Sequence, residues 1–307
     1  MLLVTGATGF LGSSVMRAIA SGRRDVRILS YDYEAAKTMY PQFDVVKGDI
    51  TRPQSLKGIG KNVDTIIHLA GIVSYTKPKD ELFEINVEGT KNMLEACDAS
   101  KKIIFASSVS VYGEIPASKG PASENYPTRP ANLYGWSKLE AERLIADSGM
   151  KYVVLRIAPV YGAGSPQWFR NLSLLEKGFP IPKTRNLTHV AHISNVAQAF
   201  ALALKPRAEG IYNIADEKPV AFTEFASELV TLLGGRPKLM PGWLVGLGAR
   251  AKGMKAYLDV LTINRNYDIS SAKKQLGYRP KVEFNTELKK MINWYLDMKQ
   301  KPKEKEI

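Results

Sequence analysis

The chain has 307 residues, 45% hydrophobic and 24% charged, which excludes a disordered or low-complexity polypeptide and allows one two-lobed unit or two modest domains. Lysine and arginine outnumber aspartate and glutamate by 43 to 30, and the resulting charge of +13 favours anionic ligands. No stretch interleaves aromatic and basic residues as base stacking requires, and no apolar run approaches the about 20 residues of a membrane span, so neither a specific nucleic-acid partner nor a transmembrane segment is expected.

The N-terminal residues Met1–Thr5 lack a basic flank and a small-residue cleavage site, so they read as a buried strand and not as a signal peptide. Thr5-Gly6-Ala7-Thr8-Gly9-Phe10-Leu11-Gly12 follows and opens a helix over Gly12–Ser21. Gly6 is expected to allow a tight turn, Gly9 to let a pyrophosphate approach the backbone, and Gly12 to seat the helix closely on the strand. Thr8, Phe10 and Leu11 complete this dinucleotide-binding segment, whose helix N-terminus offers N–H groups and a partial positive charge.

A second strand, Asp25–Ser30, runs into Tyr31 and Asp32, about 20 residues past the loop, where an acidic residue accepts hydrogen bonds from a ribose. If the strand stops near Leu29, the slot holds Ser30, which tolerates a 2′-phosphate; if it runs further, Asp32 favours NAD. The cofactor reads as NAD or NADP, with Ser30 tilting the balance to NADP. Asp44–Lys47 forms a third strand, and Asp49 and Ile50 after it stand at the height of an adenine. Thr65–Leu69 is a fourth strand, Phe83–Ala99 a helix, Lys102–Ser107 a fifth strand, Tyr134–Ser148 a helix and Tyr152–Ile157 a sixth strand. Cys97, the single cysteine, falls in helical sequence as a packed thiol; with no internal disulfide available, a reducing, cytoplasmic setting is expected.

Strands of four to six residues without polar alternation are buried on both faces, so the first half predicts a doubly wound α/β fold with a parallel sheet and a ligand at the carboxyl ends of its strands. Beyond about residue 165 the pattern loosens. Gly and Pro punctuate 162–182, 235–257 mixes glycine, basic and bulky apolar residues, and a last helix over Asn285–Lys299 precedes a charged tail. The reading is a nucleotide-binding domain over 1–164 and a substrate-binding lobe over 165–307, with the helix Ser194–Leu204 returning to the first domain.

Tyr134 and Lys138 are four apart on one helical face, so a phenol and an ammonium project into one cleft. A phenol with a pKa of about 10 is a poor base at neutral pH, and an adjacent cation is expected to lower it. Ser107 and Ser108, at the end of the fifth strand, bring hydroxyls to the same edge.

These residues resemble the extended short-chain dehydrogenase/reductase family, which includes nucleotide-sugar epimerases and dehydratases, dihydroflavonol reductases and 3β-hydroxysteroid dehydrogenases. The cofactor loop matches in its glycine spacing. His68-Leu69-Ala70-Gly71 looks like the segment that passes the cofactor, and Asn86-Val87-Glu88-Gly89-Thr90 like the family's N-V-x-G-T helix. Leu155-Arg156-Ile157-Ala158-Pro159-Val160-Tyr161-Gly162 is similar to the strand beside the nicotinamide, and Tyr267 to Pro280 to the C-terminal signature. The resemblance implies a Rossmann-type fold, a catalytic set of Ser108, Tyr134 and Lys138, and cofactor contacts from Leu69, Ala70, Gly71, Asn86, Ser107 and Pro159. Tyr134 then exchanges the proton of a substrate hydroxyl, Lys138 holds the ribose and depresses the phenol, and Ser108 orients the oxygen. The resemblance also implies pairing into a homodimer through Phe83–Ala99 and Tyr134–Ser148.

Family dehydratases carry Asp-Glu where this chain has Val109 and Ser110, so elimination is not expected. Ala158 replaces an Asn common in nucleotide-sugar epimerases, and Asn186-Leu187-Thr188-His189 lacks their Arg, so the reading is an oxidoreductase on a secondary alcohol or ketone, with an epimerase as the alternative. Leu239–Leu247 resembles the apolar lid of the reductase and steroid-dehydrogenase relatives. His189 and His192, three apart with no third ligand, are read as structural, and no metal is expected.

Overall fold

The computed structural model describes residues 1–254, 258–259 and 262–300; the end of the 235–257 segment and most of the charged tail fall outside these. Seven parallel strands form one sheet: β1 (Leu2–Thr5), β2 (Val26–Ser30), β3 (Asp44–Lys47), β4 (Thr65–His68), β5 (Lys102–Ser108), β6 (Lys151–Ile157) and β7 (Gly210–Ile214), in the order β7-β6-β5-β4-β1-β2-β3. This is the Rossmann-type α/β fold, and the order reverses between β1 and β4, opening a crevice at their carboxyl ends.

The apolar strands serve two cores. Leu2, Val4, Ile28, Ile67, Ile104 and Leu155 face α1 (Phe10–Ile19) and α7 (Ile193–Ala203), which pack side by side. Leu3, Leu29, Ile66, Ile103, Phe105 and Val154 face Met93, Cys97 and the α5 helix (Leu133–Asp147). Alternate side chains point to opposite faces, so no residue of the strand interiors is free to be polar without a partner. Cys97 is buried, and burial pushes its thiol up to about 11, as befits a packing residue.

The helical run expected from Phe83 begins four residues earlier. It comprises α3 (Lys79–Phe83), a π-turn (Glu84–Glu88) and α4 (Gly89–Glu95). The π-turn turns Asn86 inward, where it is 1% exposed.

In the second half, α6 (Pro166–Glu176), α8 (Phe222–Leu232) and α10 (Phe284–Gln300) enclose their own core of Trp168, Leu172, Phe225, Leu229, Leu288, Met291 and Tyr295. Strands Ile181–Lys183 and Leu239–Pro241 pair in parallel and lead into α9 (Gly242–Ala251). The segment between α6 and α8 supplies α7 and the seventh strand, β7, which is not among the strands expected from sequence.

Candidate active site

The three loop glycines have different reasons to be glycine. Gly6 has a φ of +69°, and a Cβ there would lie 2.7 Å from the Ala70 nitrogen. A Cβ on Gly12 would lie 2.0 Å from the Gly6 carbonyl oxygen, so α1 can seat only with glycine there. A Cβ on Gly9 would meet nothing nearer than the Gly6 oxygen at 3.5 Å, an ordinary contact. The chain itself does not demand glycine at Gly9; the open side is a cradle at the N-cap of α1, which no side chain caps, and it fits a phosphate of a dinucleotide. Gly9→Val is therefore expected to fold with a near-parental melting temperature and to lose dinucleotide binding in a fluorescence titration; unchanged affinity would exclude this cradle. Phe10 and Leu11 are half-buried, Phe10 close to Gly164 and Leu11 against the core, and Thr8 is half-buried beside them.

At the end of β2, Ser30 is the last strand residue, 8% exposed, and its hydroxyl donates to the Asp32 carbonyl at 2.9 Å. Tyr31 is 78% exposed. Asp32 caps α2 (Tyr33–Met39), its carboxylate accepting from the Ala35 N–H at 3.0 Å. Beyond β3, Asp49 accepts from the Thr51 N–H and hydroxyl, both at 2.9 Å, while Ile50 is buried against Gly89.

The loop after β4 is held by a chain of hydrogen bonds through His68. The Thr90 hydroxyl donates to the Asn86 carbonyl at 2.7 Å, so it can only accept from His68 Nε2, 3.1 Å away. Nδ1 then accepts from the Thr5 hydroxyl at 2.8 Å, which itself accepts from the Ala70 N–H at 3.1 Å. Burial lowers the imidazole pKa to about 3, with the Lys138 charge adding to the effect, so His68 stays neutral. Leu69 is tied to the Thr5 carbonyl at 3.3 Å. The Asn86 amide accepts from the Ile72 N–H at 2.9 Å and donates to the Ile72 carbonyl and the Ser137 hydroxyl, each at 3.0 Å. Asn86 thus braces the loop that carries Gly71.

Ser108 ends β5, and Tyr134 and Lys138 stand four apart on α5, Lys138 against Phe105 of β5. Asn132 caps α5 by accepting from the Gly135 N–H at 2.8 Å, which fixes the first turn that carries Tyr134. All three side chains are at most 8% exposed. Ser108 lies close enough to the Tyr134 phenol to influence it, and its hydroxyl donates to the Ser110 hydroxyl at 3.1 Å. One expectation is corrected here. The phenol pKa is raised, chiefly by burial and then by Tyr75, and only Ser108 pulls it down. The Lys138 ammonium instead lies 4.4 Å above the Phe105 ring and beside Gly71, where a Cβ would approach it to 3.6 Å. Burial lowers Lys138 to about 8, and Glu142 opposes that shift.

Sequence reasoning passed over Tyr75, which meets Tyr134 edge-on at 5.9 Å. It also passed over Glu142, one turn beyond Lys138. Glu142 is buried, accepts from Ser107 and forms a 2.7 Å ion pair with Arg156. Arg156 continues to the Tyr112 hydroxyl at 3.0 Å, which donates to Asn213 on β7 at 2.7 Å. Ser107 therefore turns its side chain into this network. The i, i+4 spacing of Lys138 and Glu142 was the available signal. Pro159, just past β6, accepts from the Ala191 N–H at 3.0 Å, which ties the end of β6 to the segment leading into α7.

His189 donates from Nε2 to the Asp216 carbonyl at 2.9 Å and accepts the Tyr267 N–H at Nδ1 at 3.2 Å. His192 is buried between Ser194, 2.7 Å from Nδ1, and Glu287, 3.3 Å from Nε2. Burial lowers the pKa of both rings.

A dinucleotide loop, a reversed parallel sheet and a Ser-Tyr-Lys cluster define a class of nucleotide-dependent enzymes. The chain belongs to the NAD dependent epimerase/dehydratase family, whose family model matches residues 2–215. It is 29% identical over 299 residues to UDP-glucose 4-epimerase of Vibrio cholerae, covering 91% of this chain and 90% of that one. It is 26% identical over 338 residues to 3-beta-hydroxysteroid dehydrogenase of Mycolicibacterium neoaurum, covering 97% and 92%. Among solved structures it is similar to MoeE5 in complex with UDP-glucose and NAD, with a TM-score of 0.74 and 25% identity over 97% of this chain and 99% of that one. The fold also matches UDP-glucuronic acid 4-epimerase from Bacillus cereus in complex with NAD, with a TM-score of 0.78 at 22% identity over 97% and 99% of the chains.

Proposed function

We propose that the chain interconverts a secondary alcohol and a ketone on a small-molecule substrate, using NAD or NADP. The observation that carries this reading is that Ser108 and Tyr134 lie buried together at the end of β5, with Lys138 buried one helical turn beyond Tyr134 beside Gly71. When bound, the nicotinamide supplies or takes the hydride. Tyr134, neutral because it is buried, gives a proton to a substrate carbonyl oxygen or recovers it in the reverse direction. Ser108 orients that oxygen. Lys138, beside Gly71, holds the ribose. A screen of carbonyl and alcohol substrates scored by net change in reduced cofactor tests this reading, and turnover without net change would reject it.

That second outcome defines a nucleotide-sugar epimerase, which the likeness to UDP-glucose 4-epimerase favours. Against it stand Ala158 and the segment Asn186-Leu187-Thr188-His189, which carries no arginine to pair a diphosphate. A dehydratase role is disfavoured because Val109, in the place of a carboxylate, is 2% exposed in the core.

Ser30 at the ribose slot leaves room for a 2′-phosphate, whereas the named neighbours hold NAD. Ser30→Asp should lower the NADP-to-NAD affinity ratio by about tenfold or more, since two like charges at ~4 Å cost roughly 1–4 kcal/mol. An unchanged ratio would remove Ser30 from the ribose. Because Lys138 is neutral above about 8, cofactor affinity that depends on its charge should weaken as pH rises through that value, as titrations at mildly acidic and alkaline pH would record. Pairing of two copies through the 79–95 helical run and α5 remains part of the proposal; Trp136 on α5 is 42% exposed. The buried lone thiol supports a reducing, cytoplasmic setting.

A further inference from the structure

Helix α9 is apolar on both sides. Val245 and Ala249, four apart, are buried with Phe179, Met254 and Leu258. On the outer side Trp243 is 68% and Leu247 57% exposed, joined by Leu244 and by Leu239 and Met240 of the preceding strand. A surface helix normally turns polar residues outward, and a contiguous exposed patch of this kind marks a contact surface.

The rim of the patch has one sign. Between Arg236 and Lys252 the sequence holds Arg236, Lys238, Arg250 and Lys252 and no acidic residue. Lys183 and Arg185 add two more cations from the segment beside it, and all six are exposed. None of the six forms an ion pair among the described residues, whereas Lys273 and Lys299 elsewhere pair with Glu217 and Glu176. A cavity of about 420 Å³ opens on this same face of α9, lined by Lys183, Arg250, Trp243 and Leu247, and Asp259 is its one acidic lining residue.

We propose that this face docks on the surface of a lipid bilayer that carries anionic lipid. Trp243 and Leu247 enter the boundary between headgroups and acyl chains, and the six cations meet lipid phosphates. No helix among the described residues is long and apolar enough to cross a membrane, so the contact is peripheral. A second copy is the poorer occupant, because a two-fold interface would set six cations against six. The inference is independent of the reaction catalysed.

The test is flotation of the purified full chain with vesicles of phosphatidylcholine alone and of phosphatidylcholine containing phosphatidylglycerol. The protein is expected to float with the anionic vesicles, to stay behind with the neutral ones and to be released by high salt. Trp243→Ser with Leu247→Ser, and separately Arg236→Glu with Lys238→Glu, should each weaken partitioning by about tenfold or more. Both variants should keep the parental melting temperature, because these side chains are exposed. Failure to float with anionic vesicles, or flotation that neither variant weakens, overturns the proposal. So does a dimer in light scattering that Trp243→Ser with Leu247→Ser dissolves, which would assign the face to a second copy.

Discussion

Tyr134→Phe is expected to give a folded, cofactor-binding protein whose chemical step is slower by about 10²–10⁴-fold, the usual worth of a positioned acid or base. The ring keeps its edge contact with Tyr75, so the substitution removes one hydroxyl beside Ser108 and little else. Lys138→Met should damage cofactor affinity as well as rate, because the ammonium stands at Gly71. Ser108→Ala should be the mildest of the three, since the proton donor stays in place. Single-turnover rates on a turned-over substrate decide the order. A near-parental rate in Tyr134→Phe would remove the phenol from the mechanism and leave the fold untouched.

Arg156→Leu should destabilise the protein by about 3–5 kcal/mol, the usual cost of leaving a buried charge unpaired. Arg156 and Glu142 are 5% and 6% exposed, so water cannot replace the lost partner. Tyr112 and the Glu124 carbonyl lose a donor at the same time. Replacing Glu142 by Leu as well should recover most of the loss, because the pair as a unit adds little net stability. Urea unfolding of the two variants measures this. A double variant as unstable as the single one would mean that the surrounding network, and not the orphaned carboxylate, sets the cost.

Six of the seven strands were legible because each is a short, mainly apolar run between turn residues, broken at most by a single interior arginine such as Arg27 or Arg156. The seventh, Gly210–Ile214, reads poorly since it opens on glycine and spends an interior position on Asn213. That polar residue is tolerated at 0% exposure because Tyr112, Ala122 and Asp268 satisfy its side chain, and these partners are distant in sequence. The glycine loop and the Tyr-Lys pair were legible because their spacing is local. The state of the phenol was not: it depends on burial and on Tyr75, which arrives from a loop 59 positions earlier by its number. The start of the helical run was misjudged because a π-turn breaks the 3.6-residue period at Asn86.

That π-turn has a consequence for the geometry of the site. By gripping Ile72 at both its N–H and its carbonyl and reaching Ser137 on α5, the Asn86 side chain locks the loop after β4 to the helix that bears Tyr134 and Lys138. Tyr134, Lys138 and the loop beside them are therefore tied into one hydrogen-bonded unit. In the proposed reaction that tie would keep Tyr134 and Lys138 at a fixed spacing from Gly71.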